Sequence, residues 1–84
     1  MKIEVFGTGC AKCRSLEAAV RRTADRFGLD YTLEHVSDLK TMVARGVMIT
    51  PALSVDGQIK AMGQVPDEAR LTSILTMAAG AAGR

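Results

Sequence analysis

The chain has 84 residues, of which 48% are apolar and 24% charged, and a formal net charge of +2. That length holds one domain, able to bury roughly 60 to 65% of the surface its unfolded chain exposes, and the composition is that of a packed globular protein rather than a disordered or fibrous one. Eleven Lys and Arg are interspersed with nine Asp and Glu, too weak an excess for a nucleic-acid footprint. No apolar run approaches the ~20 residues of a membrane-spanning helix, and Lys2-Ile3-Glu4-Val5-Phe6 alternates charge with hydrophobe where a secretory leader would be continuously apolar. A cytoplasmic location is expected.

In chain order, Lys2 to Phe6 alternates as a strand does, and Gly7-Thr8-Gly9 ends it. From about Cys10 to Phe27, Leu16, Val20 and Phe27 recur at helical spacing, with Gly28 placed as the C-terminal cap. Arg21, Arg22 and Arg26 fall on the outer, solvated face of that helix. Tyr31 to Val36 alternates again, with β-branched and aromatic residues suited to a second strand. A short helix is predicted from about Asp38 to Arg45, capped by Ser37 and followed by Gly46.

The last third changes character. Ala52 to Val55 and Gln58 to Met62 flank Asp56-Gly57, a dipeptide suited to a type I′ hairpin turn because both central residues need positive φ. Gly63 ends the hairpin, and Pro66 lies near the first turn of a final helix that opens with Asp67 and Glu68 and buries Leu71, Ile74, Leu75 and Ala78. The predicted order is β-α-β-α-β-β-α, an α/β fold with a four-stranded mixed sheet flanked by helices. The domain is expected over residues 1–78, with 79–84 as a flexible tail. Phe6, Phe27 and most of the methionines Met42, Met48, Met62 and Met77 are expected in the core, with a place near Thr50 as a further option for Met48.

Cys10-Ala11-Lys12-Cys13 carries the chemistry. Two cysteines do not make a disulfide scaffold in so short a chain, but C-x-x-C at a strand-to-helix junction brings two sulfurs into disulfide reach across one helical turn. The unpaired N–H groups and positive dipole end of the helix favour a thiolate on the first cysteine. Cys10 is therefore the expected nucleophile and Cys13, one turn in, the resolving thiol. Lys12 is a possible modulator through its positive field. Pro51, at the entry of a strand in which it cannot donate a ladder bond, suggests special local geometry after Thr50, a cis peptide bond being one option. His35, the only histidine, is far in sequence from both cysteines and is read as a strand residue rather than a general base.

Gly7-Thr8-Gly9-Cys10-Ala11-Lys12-Cys13, Gly46-Val47-Met48-Ile49-Thr50-Pro51-Ala52-Leu53, Val55-Asp56-Gly57 and Gly63 together resemble the short thioredoxin-like redox-active disulfide proteins of archaea and bacteria, over residues 1 to about 76. The resemblance implies the thioredoxin fold, a cis Pro51 beside the cysteine pair that discourages metal capture, and a Thr50 backbone that pairs with an extended substrate segment. It implies thiol-disulfide oxidoreductase activity without a cofactor, protein disulfides as substrates, a separate disulfide reductase as partner, and a monomer. Glu4, six residues before Cys10, stands near where such proteins place a buried acid that assists proton transfer. The sequence departs from housekeeping thioredoxins in Gly9, where a tryptophan usually stands, and in Ala11-Lys12 in place of Gly-Pro.

A different class stays open. The Gly7 to Cys13 segment partly resembles the loop of heavy-metal-associated copper chaperones, in which two soft thiolates hold Cu(I). Those domains run β-α-β-β-α-β and give Thr50-Pro51 no role. A four-ligand zinc site would need more than two cysteines and one distant histidine, and a purely binding adaptor would not need both cysteines.

Overall fold

A computed structural model describes residues 1–9 and 11–82. The elements follow the predicted order: β1 Lys2–Phe6, α1 Ala11–Arg26, β2 Thr32–Val36, α2 Leu39–Ala44, β3 Ala52–Val55, β4 Gln58–Met62 and α3 Glu68–Ala82. The strands form one sheet in the order β2-β1-β3-β4. β1 runs parallel to β2, with Val5 opposite His35, and antiparallel to β3, which pairs antiparallel with β4.

Alternation along β1 divides the core into two layers. Ile3 and Val5 face Leu16, Val20 and Ala24 of α1, Leu71 and Leu75 of α3, and Leu53 and Val55 of β3. Phe6 looks to the other side, where it meets Met42 of α2, Val36, Val47 and Ala52. Helices thus cover both faces, which explains why the central strands β1 and β3 are buried almost end to end while β2 and β4, at the edges, are only partly so.

Glu4 follows from the same geometry. Its place in an alternating strand suggests a solvent-facing side chain, yet it is 2% exposed because α2 covers that face, and its carboxylate accepts a hydrogen bond from Arg45 just after α2. The pair satisfies a charge that burial alone would penalise.

Several local expectations need correction. The N-cap of α2 is Asp38 rather than Ser37: its carboxylate accepts from the Thr41 N–H at 3.0 Å and the Thr41 hydroxyl at 2.6 Å. Those two contacts, the hydroxyl first, hold the Asp38 carboxyl below its ordinary value of 3.8. β2 starts at Thr32, and Tyr31 just before it donates its hydroxyl to Asp25 at 2.9 Å. Pro66 does lie near the first turn of α3, two residues before it, and that turn is capped by Asp67 accepting from the Arg70 N–H at 2.8 Å. Phe27 is exposed because it falls past the end of α1, where the Arg26 guanidinium stacks on its ring. Met48, Met62 and Met77 are exposed as well, and of the four methionines expected in the core only Met42 fills it. The final helix continues through residues 79–82, and residues 83–84 of the expected tail lie outside the described residues.

The hairpin is as predicted: Asp56 and Gly57 adopt φ of 50° and 85°, as a type I′ turn requires. Asp56 also ties the turn to β1, its carboxylate accepting from the Lys2 N–H at 2.8 Å. Among the described residues, no helix is long and apolar enough to cross a membrane.

Candidate active site

Three segments converge at the C-terminal end of β1. Gly7 extends the line of Ile3 and Val5 toward α1, and its missing side chain is what admits the first turn of that helix. An ideal Cβ on Gly7 would lie 2.0 Å from Cys13 Sγ and 4.0 Å from Thr50 Cβ. Cys13 is wholly buried in that space, one turn into α1, and Thr50 borders it from the loop before β3. The glycine that ends the strand in the sequence is thus a packing requirement of the site.

Cys10 lies outside the described residues; in sequence it directly precedes Ala11, the first residue of α1. The first turn of α1 has no acidic residue, whereas α3 opens with Glu68. Lys12 and Arg14, both exposed, add positive charge to the positive end of the α1 dipole. An anion at that helix end would be favoured by the field of the helix and of these two side chains together.

The Thr50–Pro51 peptide bond is cis. Pro51 is buried, Thr50 is exposed, and the Pro51 carbonyl accepts from the Gly63 N–H at 2.8 Å, so the end of β4 holds the loop in place. Met48 and Ile49, 86% and 59% exposed, present an apolar surface just before Thr50. The Met48 N–H points at Met62 Sδ, 3.4 Å away, which joins the loop to the exposed methionine of β4.

Glu4 does not share this space. It alternates with Ile3 and Val5, so its side chain stands on the α2 face with Arg45, across the sheet from the face that α1 covers. Two residues that sequence reasoning passed over do matter to the local architecture. Arg45 neutralises Glu4, and His35 reaches Gly7, its Nε2 lying 3.0 Å from the Gly7 carbonyl and its Nδ1 3.4 Å from Glu17 of α1. The signal for His35 is the register of two five-residue parallel strands, which sets residue 35 opposite Val5 and on the face of α1. Among the described residues, no group of three or more His, Cys, Asp and Glu side chains gathers to hold a metal ion.

A mixed four-stranded sheet with helices on both faces, a cysteine buried one turn into the first helix and a cis proline at the entry of the third strand define a thioredoxin-type α/β protein. The comparisons with known proteins agree. The family model described as thioredoxin domain matches residues 1–76, and the chain belongs to that family. A curated relative named thioredoxin, from Methanothermobacter thermautotrophicus, is 36% identical over 76 residues, covering 90% of this chain and 99% of that one. Another thioredoxin, from Methanocaldococcus jannaschii, is 33% identical over 64 residues, or 76% of this chain and 73% of its own. The solved structure of thioredoxin 1 from Thermosipho africanus superposes with a TM-score of 0.68 over the full length of both chains; at 16% identity this likeness speaks to the fold alone.

Proposed function

We propose that the chain is a cytoplasmic, monomeric thiol-disulfide oxidoreductase that reduces protein disulfides through Cys10 and Cys13. Membership of the thioredoxin-domain family supports a thioredoxin-like redox protein. The observation that carries the finer reading is the packing of Cys13 Sγ into the space left open by Gly7, beside Thr50, at the start of a helix whose first turn carries Lys12 and Arg14 and no acidic residue.

In this reading the Cys10 thiolate attacks a target disulfide, forming a Cys10–target bond and releasing one target thiolate. Cys13, as thiolate, then attacks the Cys10 sulfur. The Cys10–Cys13 bond forms, the mixed bond breaks and the second target thiolate leaves. Two electrons pass to the target, whose thiolates take protons from solvent, and a separate disulfide reductase restores the dithiol. The Thr50 backbone aligns an extended target segment, the cis Pro51 sets the wall of the groove, and the apolar surface of Met48 and Ile49 flanks it.

Serine substitution tests the division of labour. Cys10→Ser is expected to reduce insulin disulfides no faster than the uncatalysed reaction, and Cys13→Ser to accumulate a covalent mixed disulfide with the target, visible as a dithiothreitol-sensitive adduct by mass spectrometry. Wild-type turnover by Cys10→Ser would refute the assignment.

A further inference from the structure

Among the described residues, His35 is a titratable side chain outside the C-x-x-C segment that touches the backbone against which Cys13 packs. Its Nε2 lies 3.0 Å from the Gly7 carbonyl, and since a carbonyl only accepts, Nε2 carries the proton. On the other side of the ring, Nδ1 stands 3.4 Å from Glu17 Oε2, and Glu17 is itself 3.6 Å from Arg21 on the next turn of α1. The Gly7 N–H donates to the Val36 carbonyl at 3.0 Å. The C-terminal end of β2 therefore grips Gly7 at both its polar groups, by backbone through Val36 and by side chain through His35. The His35 and Glu17 side chains are 28% and 25% exposed, so the contacts are partly shielded from water.

We propose that His35 is a positioning residue for the resolving step of the exchange reaction, a role that rests on the reading above. The imidazole bridges α1 to β1 beside the active site. By fixing the Gly7 carbonyl it fixes the wall against which Cys13 Sγ rests, and with it the direction from which that sulfur meets the Cys10–target disulfide. A sulfur that must attack along the axis of an S–S bond is sensitive to small displacements, because misplacement of a reacting atom is expressed directly in rate. Nδ1 faces Glu17 of the helix that carries Cys13, a contact that becomes an ion pair only when the ring holds both protons, whereas the hold on the Gly7 carbonyl needs the Nε2 proton alone.

The test separates the two chemical steps. Reduced protein mixed with the aromatic disulfide 5,5′-dithiobis(2-nitrobenzoate) releases one thionitrobenzoate as Cys10 attacks, at a rate proportional to reagent concentration. A second is released as Cys13 resolves the adduct, independent of reagent concentration. Two phases from the wild type are required by the exchange mechanism, and their absence would overturn the function proposed above without bearing on His35. Given two phases, His35→Leu is expected to slow the second relative to the first by about three- to tenfold, the scale of one lost, partly shielded hydrogen bond. His35→Gln, whose amide N–H can still donate to the Gly7 carbonyl, is expected to restore most of that loss, which a mere packing defect would not do. Should His35→Leu fail to fold, His35→Phe, which keeps a ring in the same space but has no N–H for the Gly7 carbonyl, is expected to slow the second phase in the same direction. Unchanged second phases in the folded variants, or equal impairment in His35→Leu and His35→Gln, would overturn the proposal.

Discussion

Gly7 and Cys13 compete for the same few cubic ångströms, and only a glycine lets the sulfur win. Alanine at position 7 would put a Cβ 2.0 Å from Cys13 Sγ, so the helix start or the strand end must give way. Gly7→Ala is therefore expected to destabilise the protein by about 1–3 kcal/mol, the cost of overpacking a close-packed site. Denaturant unfolding would show this as a lower midpoint at unchanged slope. The cysteine pair can be picked out from the sequence because its signal is local, a C-x-x-C spacing at the junction of a strand pattern and a helix pattern. The sequence does not reveal that Gly7 is a packing residue, since that depends on where α1 returns. Nor does it reveal His35, whose hydrogen-bond partner lies 28 residues earlier. The exposed Met62 and Met77 were unreadable for a related reason: an apolar side chain carries no mark of whether its element has a partner on that face.

Elements were more legible than their ends. The Asp56-Gly57 turn and the alternating strands announce themselves through periodicity and backbone chemistry that act within a few residues. The capping of α2 was ambiguous because Ser37 and Asp38 are both competent caps; the geometry selects Asp38, which reaches both the backbone and the hydroxyl of Thr41. The pH consequence follows from the direction of its shift. The folded carboxyl titrates below the ordinary 3.8, so the unfolded state binds its proton first. The stabilisation of α2 is fully present above pH 3.8 and is lost as pH falls through the lower, folded value. Asp38→Ala is expected to remove this acid-sensitive component and to speed hydrogen exchange at the amides of residues 41–44. Exchange at these amides that matched wild type at neutral pH would contradict the capping role.

At the scale of the whole molecule, the order of elements and the mixed sheet were readable because each strand and helix carries its own periodicity. The burial of Glu4 was not, because it depends on α2 folding over a face that the strand alone presents as polar. Arg45 is the residue that makes this burial tolerable, and it is 42% exposed against 3% for its partner side chain. Arg45→Leu strands a buried carboxylate and is expected to cost about 1–3 kcal/mol, less than for a fully buried pair because water can reach the vacated side. A thermal unfolding temperature equal to that of wild type would show that the pair contributes nothing.

The fold, the basic start of α1 and the placement of Cys13 all acquire their meaning from one chemical claim, that Cys10 and Cys13 interconvert between dithiol and disulfide. Equilibrating the protein across glutathione or dithiothreitol redox buffers and counting free thiols, with insulin reduction followed in parallel, tests it most directly. The account predicts one reversible two-electron transition, abolished by either serine substitution, together with catalytic turnover. Absence of that transition, with tight stoichiometric binding of Cu(I) in its place, would contradict the account and identify the pair as a soft-metal site.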